Sequence, residues 1–325
     1  MTAPHPARRA LITGLTGQDG LYLAEELLAE GTEVVGLVRP GWNRPLPGAV
    51  TEVPRVEADL RDPAALRRAV AEVAPDELYH LAAPTFVPDS WADPTDTVEA
   101  IAVGTSVLLA AALAQERRPR VWVASSSEVF GDSGESPQHE RSPMRPRSPY
   151  GVAKLAAHGL VGTLRGHHGL FACSGLTFNH ESPRRPPRFL PRKVTRAAAA
   201  IRLGLEDHVV LGDLDAVRDW SHAQDVVRAA VLALRHDVPG DYVVASGRGR
   251  TVRELVTVAF THAGLDPEAH VRVDPALVRA AEGTPPVGDP TRAREVLGWE
   301  PAWSFEAMIG AMVDADLAEL AARTG

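Results

Sequence analysis

Short apolar runs, each followed by an amphipathic stretch, recur through the first half of the chain. Residues 9–13 (RALIT) lead through Gly14-Leu-Thr-Gly17-Gln-Asp-Gly20 into LYLAEELLAEG, whose apolar positions return every three or four residues. The rhythm repeats with a strand over 32–38 (TEVVGLV), a strand at 56–60 before a helix over 63–73, and a strand at 77–81 before a Pro-containing loop. A helix over 103–114 then precedes a strand at 121–124, and a helix over 155–166 precedes a strand at 170–176. Such alternation predicts an α/β fold built on a doubly wound parallel (Rossmann) sheet with helices on both faces.

Beyond residue 177 the pattern changes. FNHESPRRPPRFLPRKVTR holds four prolines and five arginines and reads as a loop that enters a helix near Arg192. Further on, the pattern predicts strands over 208–212 and 241–245, helices over 223–235 and 252–263, and a helical tail from 291 to 320 broken at LGWEPAW. The expected division is a nucleotide-binding domain over 1–176, with a return at about 216–238, and a smaller mixed α/β substrate lobe over 177–325.

Composition narrows the function. At 325 residues with 45% hydrophobic content the chain can bury a large core, and a net charge of −8 argues against non-specific nucleic-acid binding. Cys173 is the one cysteine, so no internal disulfide forms, and its apolar neighbours mark it as a small core residue. The opening MTAPHPARR is not followed by a signal-type apolar run, and the apolar stretch at 100–114 is interrupted by Gly104, Thr105 and Ser106. A cytoplasmic protein without membrane or nucleic-acid partners is the simplest expectation, and none of the chemistry below calls for a metal.

Candidate chemistry gathers where the strands of such a sheet end, since ligands bind beyond their carboxyl ends. That rule places Gly14 to Gly20, Asp59, Leu81 to Ala83 and Ser125 to Glu128 around one crevice. The glycine turn lets the backbone approach a pyrophosphate at the positive end of the following helix. Arg39, at the end of the second strand, occupies the place where an arginine accommodates the extra phosphate of NADP, with Arg44 as a second candidate.

Tyr150 and Lys154 stand one helical turn apart, so both can face the crevice. Lowering a tyrosine by about three pKa units requires roughly 4 kcal/mol. An ammonium about 5 Å away supplies on the order of 3 kcal/mol at an effective dielectric of about 20, and an oxidised nicotinamide adds a second positive charge. The pair can therefore deprotonate a sugar hydroxyl while hydride leaves its carbon. Ser126 can hydrogen-bond the same hydroxyl. Glu128 is more telling: hydride exchange at one carbon needs no second base, whereas a carboxylate here could remove a proton next to a newly formed ketone.

ALITGLTGQDG, ASSSEVFG, PRSPYGVAKL, LFACSGLTFNHESPRR, RKVTR, LGDLDAVRDWSHAQD and the closing LGWEP with MVDAD together resemble the extended short-chain dehydrogenase/reductases, and more closely their GDP-mannose 4,6-dehydratases. The resemblance covers nearly the whole chain and implies a catalytic set of Ser126, Glu128, Tyr150 and Lys154, with Ser126 where many members have threonine. It implies tightly held NADP, contacted by Gly14, Thr16, Gly17, Gln18, Asp19, Gly20, Arg39, Asp59, Leu60, Leu81, Ala82 and Ala83, by Tyr150 and Lys154, and by His180 and Arg185. The sugar nucleotide falls to Ser90, Ser126, Glu128, Asn179, Glu181, Lys193, Arg218 and Arg279. Convergent arginines suit a diphosphate, because a guanidinium offers a fork of donors.

Two departures stand out. The family's LAAQSHV is here Leu81-Ala-Ala-Pro-Thr-Phe-Val87, so Pro84 and Phe86 replace a glutamine and a histidine. Pro40 replaces the second of two arginines, and the segment up to Asp59 is about a dozen residues shorter. In the family that loop helps build a tetramer, so its loss favours a homodimer. Three readings remain open: a 4,6-dehydratase, a 4-epimerase or 4-ketoreductase that needs only Tyr150 and Lys154, and a non-catalytic NADP-binding sensor, against which the intact Ser126, Tyr150 and Lys154 count.

Overall fold

The structure, a computed structural model, describes residues 8–277 and 283–324. Seven strands form one parallel sheet: β1 (Arg9–Thr13), β2 (Glu33–Val38), β3 (Arg55–Glu57), β4 (Glu77–His80), β5 (Arg120–Ala124), β6 (Ala172–Thr177) and β10 (Asp241–Val244). Their order is β10-β6-β5-β4-β1-β2-β3, so the chain reverses direction between β1 and β4. That reversal opens the crevice in which such sheets bind ligands.

Side-chain alternation explains why the strands read as nearly continuous apolar runs. Ala10 and Ile12 of β1, Tyr79 of β4 and Trp122 of β5 enter one core, while Leu11, Leu78, Val121 and Val123 enter the core on the opposite face. Helices Gln18–Ala29 and Ala223–Arg235 cover the first face; Pro63–Val73, Gly104–Leu113 and Pro149–His168 contribute to the second.

The helix expected over 103–114 is part of a longer helical run, Pro94–Leu113, with a π-helical turn at Glu99–Val103. By length and composition it could cross a membrane, but it is mostly buried between its neighbours, as a core helix is. The helix expected over 155–166 begins at Pro149, because Ser148 caps it, accepting from the Gly151 amide at 3.0 Å, and proline fits the first helical turn.

The smaller lobe has its own core of Val194, Ala198, Leu255, Phe260, Met308 and Met312. Here the sequence reading needs correction. The Pro- and Arg-rich segment expected to lack regular structure contains β7 (Asn179–Glu181), which pairs in parallel with β9 (Val217–His222); β9 also pairs antiparallel with β11 (Gly249–Thr251). β8 (Val209–Leu211) pairs with β12 (Val271–Val273). Four of these strands have only three residues each, too few for alternation to show; only pairing with β9 reveals β7.

Candidate active site

Four segments converge on the crevice. The first is the glycine turn. Gly14 has φ +79°, and a Cβ there would lie 2.9 Å from the Ala82 amide nitrogen, so the turn after β1 is pressed against the loop after β4. Gly17 caps the next helix with no side-chain bond to its first-turn amides. This backbone cradle and open helix N-terminus fit the pyrophosphate of a dinucleotide.

Beneath the turn a buried chain of hydrogen bonds fixes the loop from Leu81 to Ala83. The Leu81 and Ala82 amides donate to Thr13 Oγ1 at 3.2 and 3.1 Å, and Thr13 Oγ1 lies 2.7 Å from His80 Nδ1. His80 Nε2 lies 3.1 Å from Thr105 Oγ1, which donates to the Ile101 carbonyl at 2.6 Å. Thr105 therefore accepts from Nε2, and Nδ1 accepts from Thr13. Burial, with Lys154 adding to it, pushes His80 down to about 3, consistent with this neutral tautomer.

Asp19 and His180 join the glycine turn to β7. His180 Nε2 stands 2.9 Å from Asp19 Oδ2, and its Nδ1 stands 2.7 Å from the Phe178 carbonyl. An acceptor at each ring nitrogen favours the imidazolium. Burial opposes both charges, but the pairing outweighs it: Asp19 is held below the usual carboxylate range and His180 above the usual imidazole range. Gln18 adds bonds to Asp19 at 3.1 Å and to the His180 carbonyl at 3.2 Å. Thr16 and Gly20 complete the turn.

At the end of β2, where the adenosine is expected, Arg39 is exposed and acts electrostatically on Asp59. Both oxygens of Asp59 are taken by the fork of Arg61, at 2.8 Å to each, which holds that carboxyl down to about 2. Arg61 also pairs with Asp96. Leu60 turns into the core.

The third segment is a pair of turns that carries the expected catalytic residues. Ser126 caps the short 3-10 turn Ser127–Val129, accepting from the Glu128 amide at 3.2 Å. Ser148 donates to Glu128 Oε2 at 3.3 Å while capping the helix that carries Tyr150 and Lys154. A Cβ on Gly151 would sit 2.7 Å from the Glu128 carbonyl oxygen, so glycine is what lets this helix approach so closely. Ser148 was not among the sequence candidates, although serine before Pro-Tyr is a capping signal.

In the protein alone Tyr150 is not lowered. Burial pushes the phenol well above its usual value, and the Ser126 hydrogen bond and Arg185 offset only part of this; the Glu128 charge adds to the rise. Lys154 Nζ donates to the Ala124 carbonyl at 2.7 Å and lies 5.7 Å from the Tyr150 ring centre. Burial brings its own pKa down to about 8, with Asp19 opposing. Desolvation, which spacing along the chain does not register, outweighs Coulomb attraction here.

The fourth segment brings the substrate candidates. β7 and β9 lie side by side, with Asn179 opposite Trp220, which sets Asn179, Glu181 and Arg218 on adjoining strands. Glu181 is buried and pairs with Arg185 at 3.2 Å; burial raises its carboxyl and Arg185 opposes. Arg218 donates to the Val217 carbonyl at 2.7 Å. Lys193 donates to the Val210 carbonyl of β8 at 2.8 Å. Ser90 is buried, and its hydroxyl donates to the Val87 carbonyl at 2.7 Å. Arg279 lies outside the described residues.

The sequence model of a family described as GDP-mannose 4,6 dehydratase matches residues 11–312. The chain belongs to this family. GDP-mannose 4,6 dehydratase 2 of Arabidopsis thaliana is 43% identical, over 99% of this chain and 90% of its own length. A GDP-mannose 4,6-dehydratase of Yersinia enterocolitica is 40% identical over 95% and 94%. Among solved structures, RMD from Pseudomonas aeruginosa complexed with NADPH superposes with a TM-score of 0.82 at 29% identity, covering 96% of this chain and 100% of the other. UDP-glucose 4-epimerase from Thermus thermophilus with NAD gives 0.81 at 29% identity, over 95% and 98%.

Within this GDP-mannose dehydratase chain, the two departures take different places. Phe86, in the loop after β4, meets Phe189 edge-on, and Arg188 lies over it. The short segment after Arg39 packs Leu46, Val50 and Val53 into the sheet core. Cys173 is buried, and burial pushes its thiol up to about 11, as befits a core residue.

Proposed function

We propose that this chain is an NADP-dependent GDP-mannose 4,6-dehydratase, a hydro-lyase that forms a GDP-4-keto-6-deoxymannose. Family membership supports the substrate class, and the observation that carries the reaction is the Glu128 carboxylate, held by Ser148 against the start of the helix bearing Tyr150. Bound NADP supplies a hydride acceptor at C4, a hydride donor at C6 and a positive charge that favours the phenolate.

The side chains do the rest. Tyr150 takes the proton of the C4 hydroxyl, with Ser126 hydrogen-bonded to the same oxygen and Lys154 supplying the adjacent positive charge. The resulting ketone acidifies the C5 proton, and Glu128 removes it. Protonated Glu128 then gives that proton to the C6 hydroxyl, which leaves as water. A solvent proton then returns to C5 through Glu128 while C6 takes up the hydride removed from C4, and Tyr150 releases the proton it took, so the oxidation at C4 and the reduction at C6 cancel. Gly14 to Gly20, Arg39, Asp59, Leu60, Leu81 to Ala83, His180 and Arg185 hold the cofactor. Ser90, Asn179, Glu181, Lys193, Arg218 and Arg279 take the sugar nucleotide.

Incubation with GDP-mannose in heavy water without added reductant tests this. Loss of one water with deuterium at C5 is expected, whereas an isomer of unchanged mass would establish the epimerase reading and turnover only with added NADPH and a keto sugar the ketoreductase reading. Glu128→Gln is expected to abolish dehydration while NADP still binds; full dehydration by that variant would remove Glu128 from the mechanism.

We further read residues 1–176, with the return at about 216–238, as the NADP domain and 177–325 as the sugar-nucleotide lobe, working as a homodimer. Support comes from the helix Ala223–Arg235, which packs on the sheet core, and from the exposed Val98, Val103 and Val152 on helices around Tyr150. Light scattering at twice the chain mass is expected, and four times the chain mass would replace the dimer by a tetramer.

A further inference from the structure

Two loops from different halves of the molecule meet at the rim of the Tyr150 site. Phe86 and Phe189 contact edge to face, with ring centres 5.4 Å apart and planes at 89°. The Arg188 guanidinium lies 4.4 Å from the centre of the Phe86 ring and 5.6 Å from that of Phe189, and it bonds Asp89 at 2.9 Å. Arg185 sits 3.6 Å from the Phe189 ring centre while pairing with buried Glu181. On the opposite side, Ala83 and Val87 pack against the cluster that contains Tyr150.

These contacts form an arc that runs from Tyr150 through Val87 and Phe86 to Phe189 and Arg185. It links the loop after β4 to the segment after β7, two stretches that hold proposed cofactor contacts. Prolines at 84 and 88 on one side and at 183, 186, 187 and 191 on the other restrict both loops, so closing them costs little chain entropy.

We propose that the Phe86–Phe189 contact, braced by Arg188 and Asp89, is a strap across the crevice that retains the reduced cofactor between the two hydride transfers. The inference rests on the dehydratase reading, in which hydride taken from C4 must return to C6 of the same sugar. Escape of NADPH in that interval would leave a keto sugar that is oxidised and not restored. Phe86 is well suited to the task, because a ring offers both an edge for Phe189 and a face for Arg188.

The test measures NADPH release from the purified full chain, read by the loss of bound-cofactor fluorescence on mixing with excess NADP. An aromatic contact with its cation is worth about a tenfold change, so Phe86→Ala is expected to release NADPH about tenfold faster. Arg188→Ala is expected to do so about threefold faster, and Phe86→Tyr, which keeps the ring, at about the native rate. Native release by both alanine variants would overturn the strap, as would Phe86→Tyr releasing as fast as Phe86→Ala. Should Phe86→Ala not fold, the exposed Arg188 decides alone, native release overturning the strap. No sugar nucleotide is present in this measurement, so a failed strap is distinguishable from a failed dehydratase assignment, which the heavy-water experiment reads separately.

Discussion

The layer under the glycine turn and the smaller lobe hold their buried polar groups by different means. Under the glycine turn, Thr13, His80 and Thr105 form a chain of neutral donors and acceptors, and burial keeps His80 uncharged at physiological pH. The lobe uses ions. Asp316, fully buried on the C-terminal helix, accepts from Arg192 Nε at 2.7 Å and Thr195 Oγ1 at 2.8 Å. Arg192 in turn donates to the carbonyls of Pro183 and Arg185. Asp219, also fully buried, accepts from the Ser246 amide and hydroxyl and from the Gly247 and Gly288 amides, at 2.6 to 3.2 Å.

The difference follows from what each half must join. The neutral chain links neighbours in a sheet already specified by apolar burial, so it needs no counter-charge. The anchors tie segments that strand pairing leaves loose: residue 192 to 316, and 219 to 288 and to the turn at 246–247 that precedes β11. Directional, charge-assisted bonds can fix such segments where apolar packing alone would let them slide.

Breaking an anchor in the lobe is the severest test of this contrast. Asp316→Ala would leave Arg192 buried with Glu319, which is partly exposed, as its remaining carboxylate partner. The expected loss is about 3–5 kcal/mol in urea unfolding, whereas replacing both members, Asp316→Leu with Arg192→Met, should recover much of it. Equal losses in the single and double variants would mean that the pair contributes through its attraction and not through the penalty of an orphaned charge.

The same contrast decides what the sequence could reveal. The strands of the large sheet were legible because residues such as Leu11, Leu78 and Val121 record burial in their own apolarity. The helices Pro63–Val73 and Ala223–Arg235 were legible to the residue, with Asp62 and His222 as their caps. β7 was not, since Asn179, His180 and Glu181 are polar for reasons of partners far along the chain: Asp19 for His180, and Trp220 across from Asn179. In the site, residue types and spacing marked Tyr150, Lys154 and Glu128. The Ser148 contact and the dominance of burial over Coulomb attraction at Tyr150 depend on packing that no local motif encodes.

Lys154 sharpens the comparison from inside the sheet half, where buried Glu77 and half-buried Asp19 each face an ionic partner, Arg235 and His180. It is 6% exposed, its ammonium bonds a carbonyl, and burial lowers its pKa from 10.5 to about 8. Between those two values the unfolded chain binds the extra proton, so this group makes stability rise with pH across roughly pH 8 to 10.5. Below pH 8 the folded state carries the full penalty of the buried charge, about 3 kcal/mol at about 1.4 kcal/mol per unit. Lys154→Met keeps the stem and removes the charge, but it forfeits the bond to Ala124. The cofactor-free variant is therefore expected to be inactive yet more stable than the native chain at pH 7, by about 1–2 kcal/mol once about 1–2 kcal/mol for the lost bond is deducted. That gain should fade as the pH approaches 10, because deprotonation then relieves the native chain of the same cost. Parallel unfolding curves at pH 7 and pH 10 read both effects, and a gap that does not change with pH would place the charge of Lys154 in a better-solvated setting than its burial indicates.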